Sequence, residues 1–381
     1  MSTVVVTDAE ERAVLGACRG LTRGGYRVCA VARGRAAATH WSRSCAERVV
    51  LPDSRRDVHR FIDRLEELVR SGRYAALIPG TDASLLAVSE HRDRLEGSTR
   101  LGLPSREAVR RSVDKRVLLE AAVGAGLGQP PSRACADNSQ AETAAEELGY
   151  PVVLKPVQSF LPVNGGFRQQ GVTIVADAEE LRRSLAERTP PLIVQRYERG
   201  RFVSCTGVFA GGRLLALTTS RVLRLWPPTA GMHTYSETVR APDGLAERAR
   251  RLLADVGWQG IFQLQMLELS DGRYSVLDLN PRVFASITLD EYAGANLAAV
   301  WCDWLLGRDP LPVVAQPARR YRWEEGELCH LAWQLRHRRL RAAAAVILPH
   351  RRVTHSWFRL TDPGPLVARA VDLAIRRRRR P

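Results

Sequence analysis

Apolar and polar positions alternate between two periods along the first hundred residues. Residues 4–7, 26–32, 49–52 and 75–79 are short apolar runs of strand length, and they are separated by stretches 9–24, 55–71 and 82–95 whose apolar residues recur at helical spacing. Strands alternating with helices of this length imply a parallel sheet covered by its crossover helices. The first turn reads Thr7-Asp8-Ala9-Glu10 and contains no GxGxxG, so no dinucleotide is assigned to it. A Gly/Pro-rich break at 124–131 marks a boundary. Beyond it, strand 152–156, a loop with Gly165, Gly166 and Gly171, strand 172–175, helix 178–188 and strand 192–195 form a small module. Segments 202–217 and 260–280 then read as mostly antiparallel strands around a helix at 244–256.

The run from Gly260 to Arg282 fixes a register. Asp271-Gly272 between two alternating segments signals a two-residue hairpin loop, which pairs positions whose numbers sum to 543. Gln265 then faces Asp278 and Gln263 faces Asn280, while Leu264, Met266, Leu277 and Leu279 take the opposite face. One carboxylate and three amides thus gather on one side, just before Pro281 and the cationic Arg282. Mg²⁺ accepts one or two carboxylates and lets substrate phosphates complete its octahedron, so this donor set suits it better than a mixed solvent face would.

Composition sharpens the picture at two points. Of 57 basic residues only Lys115 and Lys155 are lysine, and a chain that uses arginine nearly everywhere keeps those two for work a compact ammonium does better than a planar fork. The net charge of +16 is also uneven. Residues 319–381 hold 16 arginines against five acids, which leaves about +5 for the rest. The longest unbroken apolar run, 342–348, is far below the roughly 20 residues of a spanning helix, and the first residues do not form a signal peptide, so a cytoplasmic protein is expected. Seven cysteines without CxxC are read as reduced thiols, and eight histidines form no HExxH, so a divalent metal must be held by oxygen.

Asp278-Leu279-Asn280-Pro281-Arg282, with Gln265 on the preceding strand, resembles the metal-binding signature of the ATP-grasp superfamily, in the branch of predicted carboxylate-amine ligases similar to the carbamoyl phosphate synthetase large subunit. The resemblance implies an α/β (α+β) chain in three parts. These are a Rossmann-like preliminary domain over 1–105, an ATP-grasp domain over 106–310 with two α+β subdomains (the smaller at about 130–200), and a basic helical C-terminal extension over 311–381. It implies an ADP-forming ligase that activates a carboxylate as an acyl phosphate and couples it to an amine, using ATP and Mg²⁺ or Mn²⁺. Lys115 and Lys155 then match the lysines on the nucleotide phosphates, and Gln195 and Tyr197 match the hinge at the adenine edge. Gly165 and Gly166 fall in the phosphate loop. Gln265, Asp278 and Asn280 match the metal ligands, and Arg282 matches the cation facing the transferring phosphate. Asp278 stands where Glu is usual, and Phe202 where the ribose-binding Glu is expected, with Glu198 as its substitute. Arg224 is the expected clamp for a substrate carboxylate or phosphate, and Trp226 and His233 are expected in the same loop.

The expected partners are small-molecule carboxylate and amine substrates, a second copy in a homodimer, and an anionic surface touched weakly by the Arg376–Arg380 tail. Alternatives are an ATP-binding regulatory module with little turnover, or a nucleic-acid or anionic-membrane binder acting through that tail.

Overall fold

The computed structural model describes residues 1–228 and 231–378, without the side chains of 376–378. The five tail arginines expected to meet an anionic surface therefore have their side chains outside the described residues.

Strand β1 (Thr3–Val6), helix α1 (Arg12–Arg23), β2 (Arg27–Ala32), β3 (Glu47–Val50), α2 (Val58–Val69), β4 (Tyr74–Ile78), α3 (Asp82–Glu90) and β5 (Arg100–Leu101) build the first layer. Its five strands are all parallel in the order β3-β2-β1-β4-β5, as the alternation of periods requires. Helices α4 (Arg106–Val113) and α5 (Lys115–Gly124) lead into a four-stranded antiparallel sheet. It contains β6 (Ser132–Cys135), β7 (Val152–Pro156), β10 (Thr173–Val175) and β11 (Leu192–Arg196), covered by α6 (Asn138–Leu148) and α7 (Ala178–Ala186). The segment read as a glycine loop contains a hairpin of its own, β8 (Phe160–Val163) and β9 (Gly166–Gln169).

The largest sheet takes β12 (Arg201–Ala210), β13 (Arg213–Trp226), β14 (Met232–Val239), β15 (Gly260–Glu268) and β16 (Tyr274–Asn280), with α8 (Leu245–Val256) packed on it. Helices α9 (Ile287–Tyr292) and α10 (Leu297–Leu305) follow. Strand β17 (Val313–Val314) then pairs with β13, and β18 (Arg320–Arg322) and β19 (Val353–His355) extend the sheet beyond β14. Helices α11 (Glu324–Arg336), α12 (Leu340–Ile347) and α13 (Gly364–Arg378) complete the chain.

Core packing joins the first and last sheets. One cluster runs from Val5, Ile62 and Leu77 to Leu252, Phe262 and Leu264, and a second from Val4, Val14 and Leu21 to Val208, Ile261 and Trp301. Gly16, Gly20 and Gly24 lie four residues apart on one face of α1. A Cβ on each would stand 2.5–2.6 Å from Thr288, Asn296 and Ala299, so their bare backbone lets α1 press directly onto α9 and α10. The middle sheet instead has a core of its own, from Cys135 through Leu148 and Leu181 to Val194. The seven cysteines are free thiols, and no helix among the described residues is long and apolar enough to cross a membrane.

On the C-terminal helix Val367, Val371 and Ile375 are exposed. The helix docks through Ala368 and Leu366 beside Trp357 and Ala38, where small side chains allow the closest approach.

Candidate active site

Three layers converge on one cleft. Lys115 is the first residue of α5, set there by the Asp114 cap, whose side chain accepts from the Arg116 N–H. Lys155 stands on β7 opposite Ile193 of β11. Both ammonium groups are buried and both reach β16. Lys115 Nζ lies 3.0 Å from Asp278 Oδ1 and donates to Ser159 Oγ at 3.1 Å, while Lys155 Nζ donates to the Leu277 carbonyl at 3.2 Å. Burial, with Lys115 nearby and only Asp278 opposing, pushes the Lys155 ammonium down to about 8.

The β15–β16 register at this point is the expected one, with Gln265 opposite Asp278 and Gln263 opposite Asn280. It arises differently. The loop holds three residues rather than two, since Leu269 and Arg273 close it and Gly272 adopts φ +81°, so the pairs near the turn run Met266–Val276 and Glu268–Tyr274. A bulge between Gln265 and Met266 then restores the register. Leu277 is the residue displaced. Expected on the apolar face, it lines the cleft and offers its carbonyl to Lys155.

The amides and the arginine form a chain. Asn280 Nδ2 donates to Gln263 Oε1 at 3.0 Å, and Gln265 Nε2 approaches the same oxygen at 3.5 Å. Arg282 Nη2 donates to Asn280 Oδ1 at 3.1 Å and pairs with Asp82 at 2.8 Å. Among the described residues no three His, Cys, Asp or Glu side chains cluster as a metal centre. Asp278 is the one carboxylate of the set. It suits Mg²⁺ arriving with phosphate oxygens already bound, because those oxygens supply the charge and coordination that the chain lacks.

Two chambers meet here. One, of about 280 Å³, is largely apolar and runs from Val153, Ile174 and Leu267 to Tyr197, Glu198 and Phe202. Its deepest polar group is Gln195, whose Nε2 donates to Ser132 Oγ at 2.9 Å while its buried Oε1 has no partner among the described residues. Glu198 accepts from Ser275 Oγ at 2.8 Å at the same rim. The other chamber, of about 340 Å³, is lined by polar side chains including Ser159, Gln170, Asn280, Arg282 and Asp82. Lys115, Val172 and Asp278 belong to both.

Three residues lie elsewhere. Gly165 and Gly166 form the tip of the β8–β9 hairpin, which is latched onto the first layer. Val58 N–H donates to Gly165 O at 2.8 Å and Phe167 N–H to Arg55 O at 2.7 Å, and a Cβ on Gly166 would stand 2.4 Å from Arg55 O. The part of that loop lining the polar chamber is instead Gln158–Phe160 and Gln169–Gly171. Arg224 is paired with Glu327, both side chains largely buried, and stacks on Tyr235 at 4.0 Å, so its fork is committed within the fold. Its loop reaches the chambers through Gly231 and Met232, not through Trp226 or His233; burial, with Arg12 nearby, pushes the His233 ring down to about 4.

Asp82 and Ser159 were not singled out from sequence. Asp82 follows Pro79-Gly80-Thr81 at the carboxyl end of β4, where open parallel sheets present ligands, and that position was the available signal.

No family model matches the chain. The biotin carboxylase domain dimer of Hydrogenobacter thermophilus 2-oxoglutarate carboxylase, solved with MgADP and bicarbonate, superimposes with a TM-score of 0.63 at 15% identity, covering 84% of this chain and 73% of that one. The L-amino acid ligase of Bacillus licheniformis gives 0.63 at 14% identity, covering 84% and 78%. This is an ATP-grasp fold. In sequence, the chain is similar to the C-terminal section of the carbamoyl phosphate synthase large chain of Aquifex aeolicus, 24% identical over 283 residues. That match takes in 68% of this chain but only 48% of the relative, so the chain spans about half the length of that protein.

Proposed function

We propose that the chain is an ADP-forming, ATP-dependent ligase that joins a small-molecule carboxylate to an amine. The observation that carries this reading is the convergence of the only two lysines on β16, Lys115 at Asp278 and Lys155 at the adjoining Leu277 carbonyl, where an apolar and a polar chamber meet. In this reading residues 1–105 form the preliminary unit, 106–310 the ATP-grasp unit and 311–381 the basic extension. The apolar chamber takes the adenine, with the orphaned Gln195 Oε1 accepting from its exocyclic amine, Tyr197 beside it and Glu198 at the ribose. Lys155 and Lys115 neutralise the phosphates.

Asp278, with Gln265 and Asn280 beside it, would hold Mg²⁺ or Mn²⁺, which supplies further charge neutralisation at the phosphates when bound. A carboxylate oxygen in the polar chamber attacks the γ-phosphorus; its bond to phosphorus forms as the bond to the ADP oxygen breaks. Arg282, held by Asp82, faces the charge spreading over the transferring group. The amine nitrogen then attacks the acyl carbon, phosphate leaves with the C–O electron pair, and the nitrogen loses a proton to give the amide. Positioning and charge neutralisation suffice for such a transfer, which explains why no Ser or Cys nucleophile is needed.

ADP release measured over a panel of carboxylates, each with and without amines, tests the proposal. Release that needs a carboxylate, an amine and a divalent cation together is the expected result. Tight ATP binding with no turnover on any pair would make this a nucleotide-binding module.

A further inference from the structure

The C-terminal extension carries a surface that the catalytic reading does not use. Between Glu327 and Asp362 there is no acidic residue, while the same stretch holds seven arginines and four histidines. In the fold its middle projects as the end of α11, a short turn and α12, and residues 335–341 are exposed without a break. Arginines elsewhere are mostly paired, but Arg336, Arg338, Arg339, Arg341, Arg351 and Arg352 meet no carboxylate among the described residues; pairs formed nearby include those of Arg224, Arg320, Arg322, Arg359 and Arg369.

The same tip is apolar. Helix α12 turns its small face inward through Ala343 and Val346, while Leu340, Ala344, Ile347 and Leu348, spaced as one helical face, look outward. Leu340 is 68% exposed, Ile347 66% and Leu335 50%. The helix is held firmly from beneath, since Arg224 and Arg322 donate to the Ala345 and Val346 carbonyls of its last turn.

Exposed aliphatics ringed by unpaired arginines select among partners. A second copy would bring six unpaired cations against six more, so self-association is opposed by charge. Nucleic acid rewards the arginines but gains by stacking on exposed aromatics, and the one aromatic here, Trp333, is covered by His337 at 4.1 Å and Arg339 at 4.9 Å. An anionic lipid interface satisfies both features, taking aliphatic side chains into the acyl boundary and arginines among the headgroups. We propose that the α11–α12 tip, through Leu335, Leu340, Ile347 and Leu348 and the arginines around them, docks this protein reversibly on an anionic membrane surface. The Arg376–Arg380 tail is not needed for that contact.

Co-sedimentation of the full chain with phosphatidylcholine vesicles, with and without about 30 mol% phosphatidylglycerol, at about 50 and 300 mM salt, tests it. Binding is expected to the anionic vesicles alone and to weaken with salt. Leu340→Ser with Ile347→Ser, and separately Arg338→Gln with Arg341→Gln, should each lower it by about tenfold or more, with unchanged thermal melting and ATP turnover. Single Leu340→Ser serves if the pair does not fold. Equal binding to neutral vesicles, no binding at all, or indifference to the Leu340/Ile347 change would overturn the proposal. So would stronger binding to a short RNA duplex, or a dimer that the Leu340/Ile347 variant dissolves. Loss of vesicle binding only on deleting Arg376–Pro381 would return the contact to the tail.

Discussion

At the residue scale the deciding feature is a pair of ammonium groups buried beside one carboxylate. Lys155 has its proton affinity reduced to about 8 by burial, with Lys115 adding to the effect and Asp278 opposing it. Phosphate oxygens stabilise the charged form. Below pH 8 the lysine is already charged and ATP affinity is flat; above it, binding must take up a proton, and affinity should fall about tenfold per pH unit. Calorimetric titration between pH 7 and 9.5 measures this slope, which Lys155→Ala should abolish together with about 1.5–3 kcal/mol of binding energy at pH 7. Lys155→Arg should not restore it, because a planar fork cannot occupy a point-charge site. A pH-independent wild type would remove Lys155 from the phosphates.

Among elements, the β15–β16 hairpin and the β8–β9 hairpin define the chambers. In the first, a one-residue error in the expected loop is cancelled by a bulge, so the face carrying Gln263, Gln265, Asp278 and Asn280 comes out in register although Leu277 changes sides. A bulge next to a site re-aims a side chain, and here it turns a carbonyl toward Lys155. Asp278→Asn keeps the shape and the pairing with Gln265 but removes the one carboxylate. Divalent-cation-dependent ADP release should drop at least about a hundredfold while the melting temperature stays within a few degrees. Full activity in that variant would require a different ligand set. The second hairpin was invisible as structure in the sequence, because its glycines look like a mobile phosphate loop. Their role in the fold is close approach, with Gly166 lying against Arg55.

For the whole molecule, α1 and α9 join the first layer to the large sheet. On α9, Asp290 is buried, and that burial raises its carboxyl to about 7 despite the hydrogen bond that Thr206 Oγ1 donates to it. The folded chain therefore keeps a proton that the unfolded chain releases near pH 4. This contribution to stability is full at low pH and is lost as pH rises toward 7, by up to about 4 kcal/mol. Comparing thermal melts of wild type and Asp290→Asn from pH 4.5 to 8 isolates it. The wild type should lose stability relative to the variant up to about pH 7 and run parallel above, whereas parallel curves throughout would mean that Asp290 is already ionised at low pH.

Local rules made the parallel first sheet, the β15–β16 hairpin and the two lysines legible, because strand period, turn residues and a near-total replacement of Lys by Arg all act within short windows of sequence. The mixed α/β character followed from those windows together, and the ATP-grasp fold was implied by the resemblance that Asp278–Arg282 and Gln265 carry. What lay beyond them depended on which distant surfaces meet. Arg224 reads as a free clamp until α11 brings Glu327 against it, and Asp82 reads as a helix start until Arg282, two hundred residues on, folds back to it. The outward face of α12 likewise exists only because Ala343 and Val346 win the inward side. Ion pairing and burial are properties of neighbours in space, and a one-dimensional pattern does not say which neighbours long loops and packed layers will supply.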